Sequence, residues 1–381
     1  MWHSPAVTRT EHLLAELIAL PSVNPAFLPA RHSRAGERQV ADFLAATAGA
    51  AGLDVEFQKV FTNRANVIIR LPSAGKTKQT ILLAPHMDTV GADSDKFIPQ
   101  RKDGRLHGRG ACDTKGSVAA MLCAMMEIAN ARQRPKQTEI VFVGLIDEEN
   151  AQAGSRALVK SGFQADLAIV GEPTRCRVVT AHKGSLWLHL KTRGKAAHGA
   201  TPHLGKNAVH KMAHVVAALE TDYAQQLQRR KHPLLGSGTV NVGKISGGSQ
   251  PNIVPDTCVI EIDRRTLPGE TEAGVKREIA ALLKAKNVPA HIASTKLAPA
   301  LPLETNSHLP LVEQFLGCAN QRQPQGVDYF CDAAVLARGG IPSVVFGPGN
   351  IAQAHTVDEW ISLAELERAK NLLVKFLKIQ P

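Results

Sequence analysis

Short apolar runs, rich in Val, Ile and Leu and ending at turn residues, punctuate the chain at 66–71, 80–85, 139–145, 166–170 and 342–346. Such runs, without polar alternation, read as strands buried on both faces. Helical spacing lies between and after them. Residues 36–51 form an alanine-rich helix candidate, and 309–319 and 363–377 supply two more. Residues 115–132 are apolar around most of the helix surface, which marks a buried helix. Strands alternating with helices predict an α/β layered domain.

The pattern changes across 182–292. Residues 187–191 alternate apolar and polar, as a half-exposed strand does. Residues 207–219 and 272–285 have helical spacing, while 238–245 and 257–263 read as antiparallel strands around Gly247-Gly248 and two prolines. This predicts a small α+β domain with an open antiparallel sheet. It is inserted into an α/β domain made of 1–181 and 293–381. A chain of 381 residues exceeds what one core usually holds, which also favours two domains.

Composition adds little to this picture. Lys plus Arg exceed Asp plus Glu by 45 − 34 = 11, but the charge is scattered, and its densest run is Arg229-Arg230-Lys231. Nucleic-acid binding would call for a basic stripe with interleaved aromatics, so no nucleic-acid partner is expected. The six cysteines form no CxxC pair and mostly sit in apolar runs, as reduced, buried cysteines of a cytoplasmic protein do. Met1-Trp2-His3-Ser4-Pro5 has no signal-peptide organisation, and no apolar run approaches the length of a membrane span. Gly75-Lys76-Thr77 imitates the end of a P-loop, but Arg70 stands where that loop needs glycine.

The chemistry sits at the ends of the apolar runs, where open α/β sheets place their sites. His86-Met87-Asp88 follows the second run. The spacing puts the imidazole and a carboxylate that could fix its tautomer on one side. Asp113 stands among glycines in Gly108-Arg-Gly-Ala-Cys-Asp113-Thr-Lys-Gly116, just before the long helix. Taken alone it reads better as a helix cap than as a bridging metal ligand. Asp147-Glu148-Glu149 follows the third run. Adjacent buried carboxylates repel, so these need solvent or a cation. Glu172 follows the fourth run, and His355 follows the fifth. Oxygen and nitrogen donors of this kind suit Zn²⁺, with Co²⁺ or Mn²⁺ as substitutes.

In this order, the motifs resemble the M20 family of metallopeptidases and deacylases, along essentially the whole chain. The resemblance implies a catalytic α/β/α zinc-hydrolase domain with an inserted α+β lid that also mediates homodimerisation. It implies two zinc ions per subunit bridged by Asp113, with His86 and Glu172 completing one ion's protein ligands and Glu149 and His355 the other's. It makes Asp88 the residue that orients His86 and Glu148 the general base. In the lid it gives His198 access to a neighbouring subunit's site, and it makes Asn252 and Arg265 substrate-binding residues, with Arg264 the alternative to Arg265. The implied activity is removal of an acyl group from a small N-acyl amino acid, of the acetylornithine deacetylase type. Succinyl-diaminopimelate desuccinylase and a dipeptidase or carboxypeptidase are the alternatives within the family. A non-catalytic binding relative would have lost a ligand or the base, and every such position is filled here.

Overall fold

The computed structural model describes residues 7–29, 32–295 and 299–381; the opening residues 1–5 lie outside them. The chain forms two units. The first contains the chain up to Thr180, Thr305–Gln325 and Cys331–Pro381, and the second Ala181–Glu304 and Gly326–Phe330. The second unit thus takes in more chain than 182–292. Pairing of Leu303 with His182 and of Ser185 with Ala300 draws the later residues into it.

In the first unit the apolar runs line up in the order Asp54–Phe61, Arg64–Leu71, Thr138–Gly144, Gln79–Pro85, Leu167–Gly171 and Ser343–Val345. The last four are mutually parallel. Arg64–Leu71 is antiparallel to Thr138–Gly144, a direction that its apolar content could not reveal. Both faces are covered, which explains the unbroken apolar runs. Ile81, Leu83, Ile140, Phe142, Leu167 and Ile169 share a core with the helices Arg9–Ala19, Lys115–Ala129 and Leu363–Lys378. The alternate residues Leu82, Val141, Val143 and Ala168 are equally buried on the other face, where the helix Ala333–Arg338 packs.

The helix Arg9–Ala19 is absent from the elements read above. Its signal is a Thr8…Glu11 spacing: the Thr8 hydroxyl accepts from the Glu11 N–H at 3.1 Å, and Leu13, Leu14, Leu17 and Ile18 are buried behind it.

Register sets the site. Pro85 pairs with Gly171, Val345 with Val170, and His86 with Leu145, so these strands end at one level. A Cβ at Gly171 would stand 2.7 Å from the Ser117 Cβ and 2.8 Å from the Pro85 Cβ, so only glycine lets the strands and the buried helix close here.

The second unit is a four-stranded antiparallel sheet ordered Thr239–Gly247, Thr257–Thr266, Gly184–Arg193, His291–Ser294. One face carries Leu186, Leu188, Leu190, Ile260 and Ile262 against the helices Ala208–Ala218 and Glu272–Ala285. The other face, with Trp187, His189 and Glu261, is open, as the alternating pattern requires. All six cysteines are buried and unpaired. Among the described residues, no helix is long and apolar enough to cross a membrane.

Candidate metal centre

His86 leaves the strand Gln79–Pro85 fully buried. Its Nδ1 lies 3.0 Å from the Asp88 carbonyl and 3.4 Å from Asp88 Oδ1. Its Nε2 lies 3.1 Å from Asp113 Oδ1 and 3.8 Å from Glu172 Oε1. From another direction His355 brings its Nε2 to 3.4 Å from Asp113 Oδ2 and 3.1 Å from Glu149 Oε2. The two oxygens of Asp113 therefore face two different histidines.

Asp88 is buried and organises more than one neighbour. It accepts from the N–H groups of Glu148 and Glu149, both at 3.1 Å, and from the Asn24 side-chain amide at 2.7 Å. A single carboxylate thus orients His86 and pins the turn carrying the two glutamates. The crowding of Asp147, Glu148 and Glu149 is also resolved. Asp147, at φ 66°, accepts from Arg64 at 3.1 Å and from Asn24 at 3.1 Å, while Glu37 holds the same Arg64 with bonds of 2.7 and 2.6 Å. Asp147 is engaged by Arg64, which it shares with Glu37, and by Asn24, which leaves Glu148 and Glu149 to the cluster.

The cap reading of Asp113 does not hold. The N-cap of Lys115–Ala129 is Thr114, whose hydroxyl donates instead to the Gly171 carbonyl at 3.0 Å, next to Glu172. The peptide bond between Asp113 and Thr114 is cis. The Lys115 ammonium is buried and donates to the Leu17 and Leu20 carbonyls at 2.8 and 2.7 Å, closing the end of the first helix.

The electrostatics are those of a site built for cations. Burial raises Glu148 and Glu172 well above the usual carboxylate range. Burial opposes ionisation of Asp113 too, but hydrogen bonds from His355 and His86 outweigh it and hold its pKa low. Hydrogen bonds to Asp113 and Glu149 lift His355 to about 10. Asp332, buried and bonded to the Ser155 hydroxyl at 2.5 Å, is pushed up to about 7 by burial.

Ligand atoms of His86, Glu148 and Glu172 lie within 4.8 Å of one another, as do those of Asp113, Glu149 and His355. Two donors on one tetrahedral zinc stand roughly 3.3–3.6 Å apart, given metal–ligand bonds of about 2.0–2.2 Å. The His86–Asp113, His355–Asp113 and His355–Glu149 separations of 3.1, 3.4 and 3.1 Å fall close to that spacing. Imidazole and carboxylate donors crowded at this distance, buried around His86 and open to solvent at His355, fit a pair of divalent ions.

His198, Asn252 and Arg265 lie in the second unit. His198 forms a bridge with Ile253, and the Gly199 N–H donates to the Asn252 carbonyl at 2.7 Å, so His198 and Asn252 sit on adjoining exposed segments. Strand alternation separates the two arginines. Arg264 is 0% exposed on the helix-covered side, bonded to the Tyr223 hydroxyl at 3.1 Å and to Glu270 at 2.6 Å. Arg265 is on the open face, paired with Asp263 at 2.9 Å beside the Phe330 ring.

Sequence reading missed the residues that hold the candidate ligand segments: Asn24, Glu37, Arg64, Arg109 and Glu359. None stands in a recognisable spacing with its partner. The Thr-x-x-Glu cap of the first helix was the one local signal available.

Comparison with known proteins agrees with this geometry. A profile described as peptidase family M20/M25/M40 matches residues 82–379. The chain is 31% identical to an acetylornithine deacetylase of Myxococcus xanthus, covering 88% of this chain and 90% of that one. It is also 31% identical to an acetylornithine deacetylase of Edwardsiella ictaluri, with 96% of each covered. Among solved structures, the fold matches an M20 family metallo-carboxypeptidase of Sulfolobus solfataricus at a TM-score of 0.76 and 19% identity, covering 98% of this chain and 99% of that one. It also matches a dinuclear metal binding peptidase of the M20 family from Bacillus subtilis at a TM-score of 0.70 and 13% identity, with 97% of each covered. The chain belongs to peptidase family M20/M25/M40, and it is a metal-dependent hydrolase of that family.

Proposed function

We propose that the protein is a two-zinc amide hydrolase that removes the acyl group from an N-acyl amino acid, of the acetylornithine deacetylase type. The observation that carries the two-ion reading is Asp113, whose two oxygens face His86 and His355 from opposite sides. In this reading His86, Asp113 and Glu172 hold one ion, and Asp113, Glu149 and His355 the other. When bound, the ions supply Lewis acidity that lowers the pKa of water and polarises the scissile carbonyl. Co²⁺ or Mn²⁺ could take the place of zinc.

Glu148 is the general base. Burial raises its pKa above the usual carboxylate range, which favours a group that takes a proton from water and returns it to the leaving amine. Asp88 keeps His86 in the tautomer that offers Nε2. His198 is proposed as the donor to the carbonyl oxygen as negative charge builds there, and Asn252 and Arg265 as substrate contacts. Partly exposed on the open face, Arg265 engages Asp263 through Nε and presents its terminal nitrogens for a substrate carboxylate, while Arg264 is committed to the interior. The second unit is proposed to serve also as the surface of a homodimer.

Glu148 also falls within a candidate ligand group with His86 and Glu172. Replacing it separates the roles: a Glu148→Gln protein that keeps two ions but loses turnover has lost its base, whereas one that loses an ion has lost a ligand. A panel of N-acetyl, N-succinyl and dipeptide substrates tests the specificity. Fastest turnover of an N-acetyl amino acid is expected, and fastest turnover of a dipeptide would overturn the deacylase reading.

A further inference from the structure

Glu359 is a buried carboxylate, 3% exposed, with four donors. Its Oε1 accepts from the N–H groups of Cys112 and Asp113 at 2.8 and 2.9 Å. Its Oε2 accepts from Arg109 Nη1 at 2.7 Å and from the Gly110 N–H at 2.9 Å. The loop that carries Asp113 is thus wrapped around one side chain.

The same residue ties that loop to a second segment. The Gly108 N–H donates to the Glu359 carbonyl at 3.0 Å, and Arg109 Nη2 donates to the Thr356 carbonyl at 3.1 Å. Just beyond, Trp360 pairs with His107 and Ile361 with Leu106. His355 lies next to Thr356 at the start of this segment, at φ 61°. Asp113 and His355, two of the three residues of the second ligand group, are therefore positioned against each other through Glu359 and Arg109. His86, Glu148 and Glu172 are not. They follow strand ends, and Asp88 and Asn24 hold the His86 and Glu148 segments.

We infer that Glu359, with Arg109, is a positioning clamp that sets the metal affinity of the Asp113–Glu149–His355 group selectively over that of the His86 group. This rests on the two-ion reading above. The selectivity follows from the connections. Loosening the clamp lets the Asp113 loop and the His355 segment drift apart, which disturbs two ligands of one group but only the shared Asp113 of the other, whose His86 and Glu172 stay in place. A carboxylate is needed because all four partners donate. A glutamine would accept through one oxygen and turn its own N–H₂ toward N–H groups. Outer-shell partners of this kind typically govern about 10–100-fold of metal affinity.

The test is zinc titration of chelator-stripped protein, with zinc per chain counted and folding followed by circular dichroism. The wild-type chain is expected to take up two ions. In Glu359→Gln, the ion of the Asp113–Glu149–His355 group is expected to bind ~10–100-fold more weakly and that of the His86 group, which has only Asp113 on the clamped loop, to weaken less, with activity returning as zinc is raised. Two ions bound with wild-type affinities, or both weakened equally, would overturn the clamp. A wild-type chain that takes up fewer than two ions would overturn the two-ion reading and this inference with it. If Glu359→Gln does not fold, Arg109→Met decides by the same criteria.

Discussion

His86 and His182 are both completely buried, and each has an oxygen 2.9–3.0 Å from its Nδ1, yet their surroundings drive them in opposite directions. In the first unit, burial disfavours protonation of His86, but Asp113 and Asp88 more than compensate and raise its pKa well above 6.5. In the second unit His182 has the Lys183 carbonyl on Nδ1 and, among the described residues, no partner on Nε2, and burial pushes its pKa down to about 4. Burial alone does not mark a functional histidine. Carboxylates on both ring nitrogens mark a place for positive charge, proton or metal, whereas a lone carbonyl marks a neutral side chain of the core.

The acidic surroundings of His86 should give the larger effects when broken. Glu148→Gln is expected to lower kcat ~10²–10⁴-fold, the usual share of a general base, with zinc per chain unchanged. Arg64→Met removes the one cation that Glu37 and Asp147 share. Leaving buried acids unpaired costs roughly 3–5 kcal/mol, readable by urea unfolding at pH 7, and the loss should shrink at low pH as Glu37, whose pKa burial raises, is protonated.

The other side of the comparison predicts an acid sensitivity. His182 has its folded pKa near 4 against 6.5 for the free side chain, so the unfolded chain binds the extra proton first. The cost is absent above pH 6.5, grows as pH falls, and reaches its full size below pH 4, at about 3 kcal/mol. Unfolding free energies measured between pH 7 and 4 should fall more steeply in the wild type than in His182→Gln, and parallel profiles would count against the contrast. The smallest effect is expected for Asp88→Asn. It should weaken zinc at the His86 group ~10–100-fold and, through the Glu149 N–H that Asp88 also holds, weaken the Asp113–Glu149–His355 group less, the reverse order of Glu359→Gln.

Three of the candidate ligand segments were legible in the chain because each stands just past a run of buried strand, and the parallel register brings those ends to one level. His86, Glu172 and the 147–149 acids could be read off in this way. What holds them could not. Glu359 stands 246 residues from Asp113, and Arg64 stands 83 from Asp147, so only folding reveals that they meet. Asp113 could pass for a helix cap until its carboxylate was seen between two histidines, with Thr114 in the cap position. The choice between Arg264 and Arg265 depended on which residues of Thr257–Thr266 face the helices, a matter of register that two adjacent arginines do not disclose.

In the function proposed above, a two-ion site to which Asp113 would contribute both oxygens supports hydrolysis of an N-acyl amino acid. Its most direct test is zinc per chain measured alongside turnover of N-acetylornithine as a chelator strips the protein. The account predicts two ions per chain at full activity and a rate that falls to background as they leave. An undiminished rate from a chain that holds no metal would contradict it.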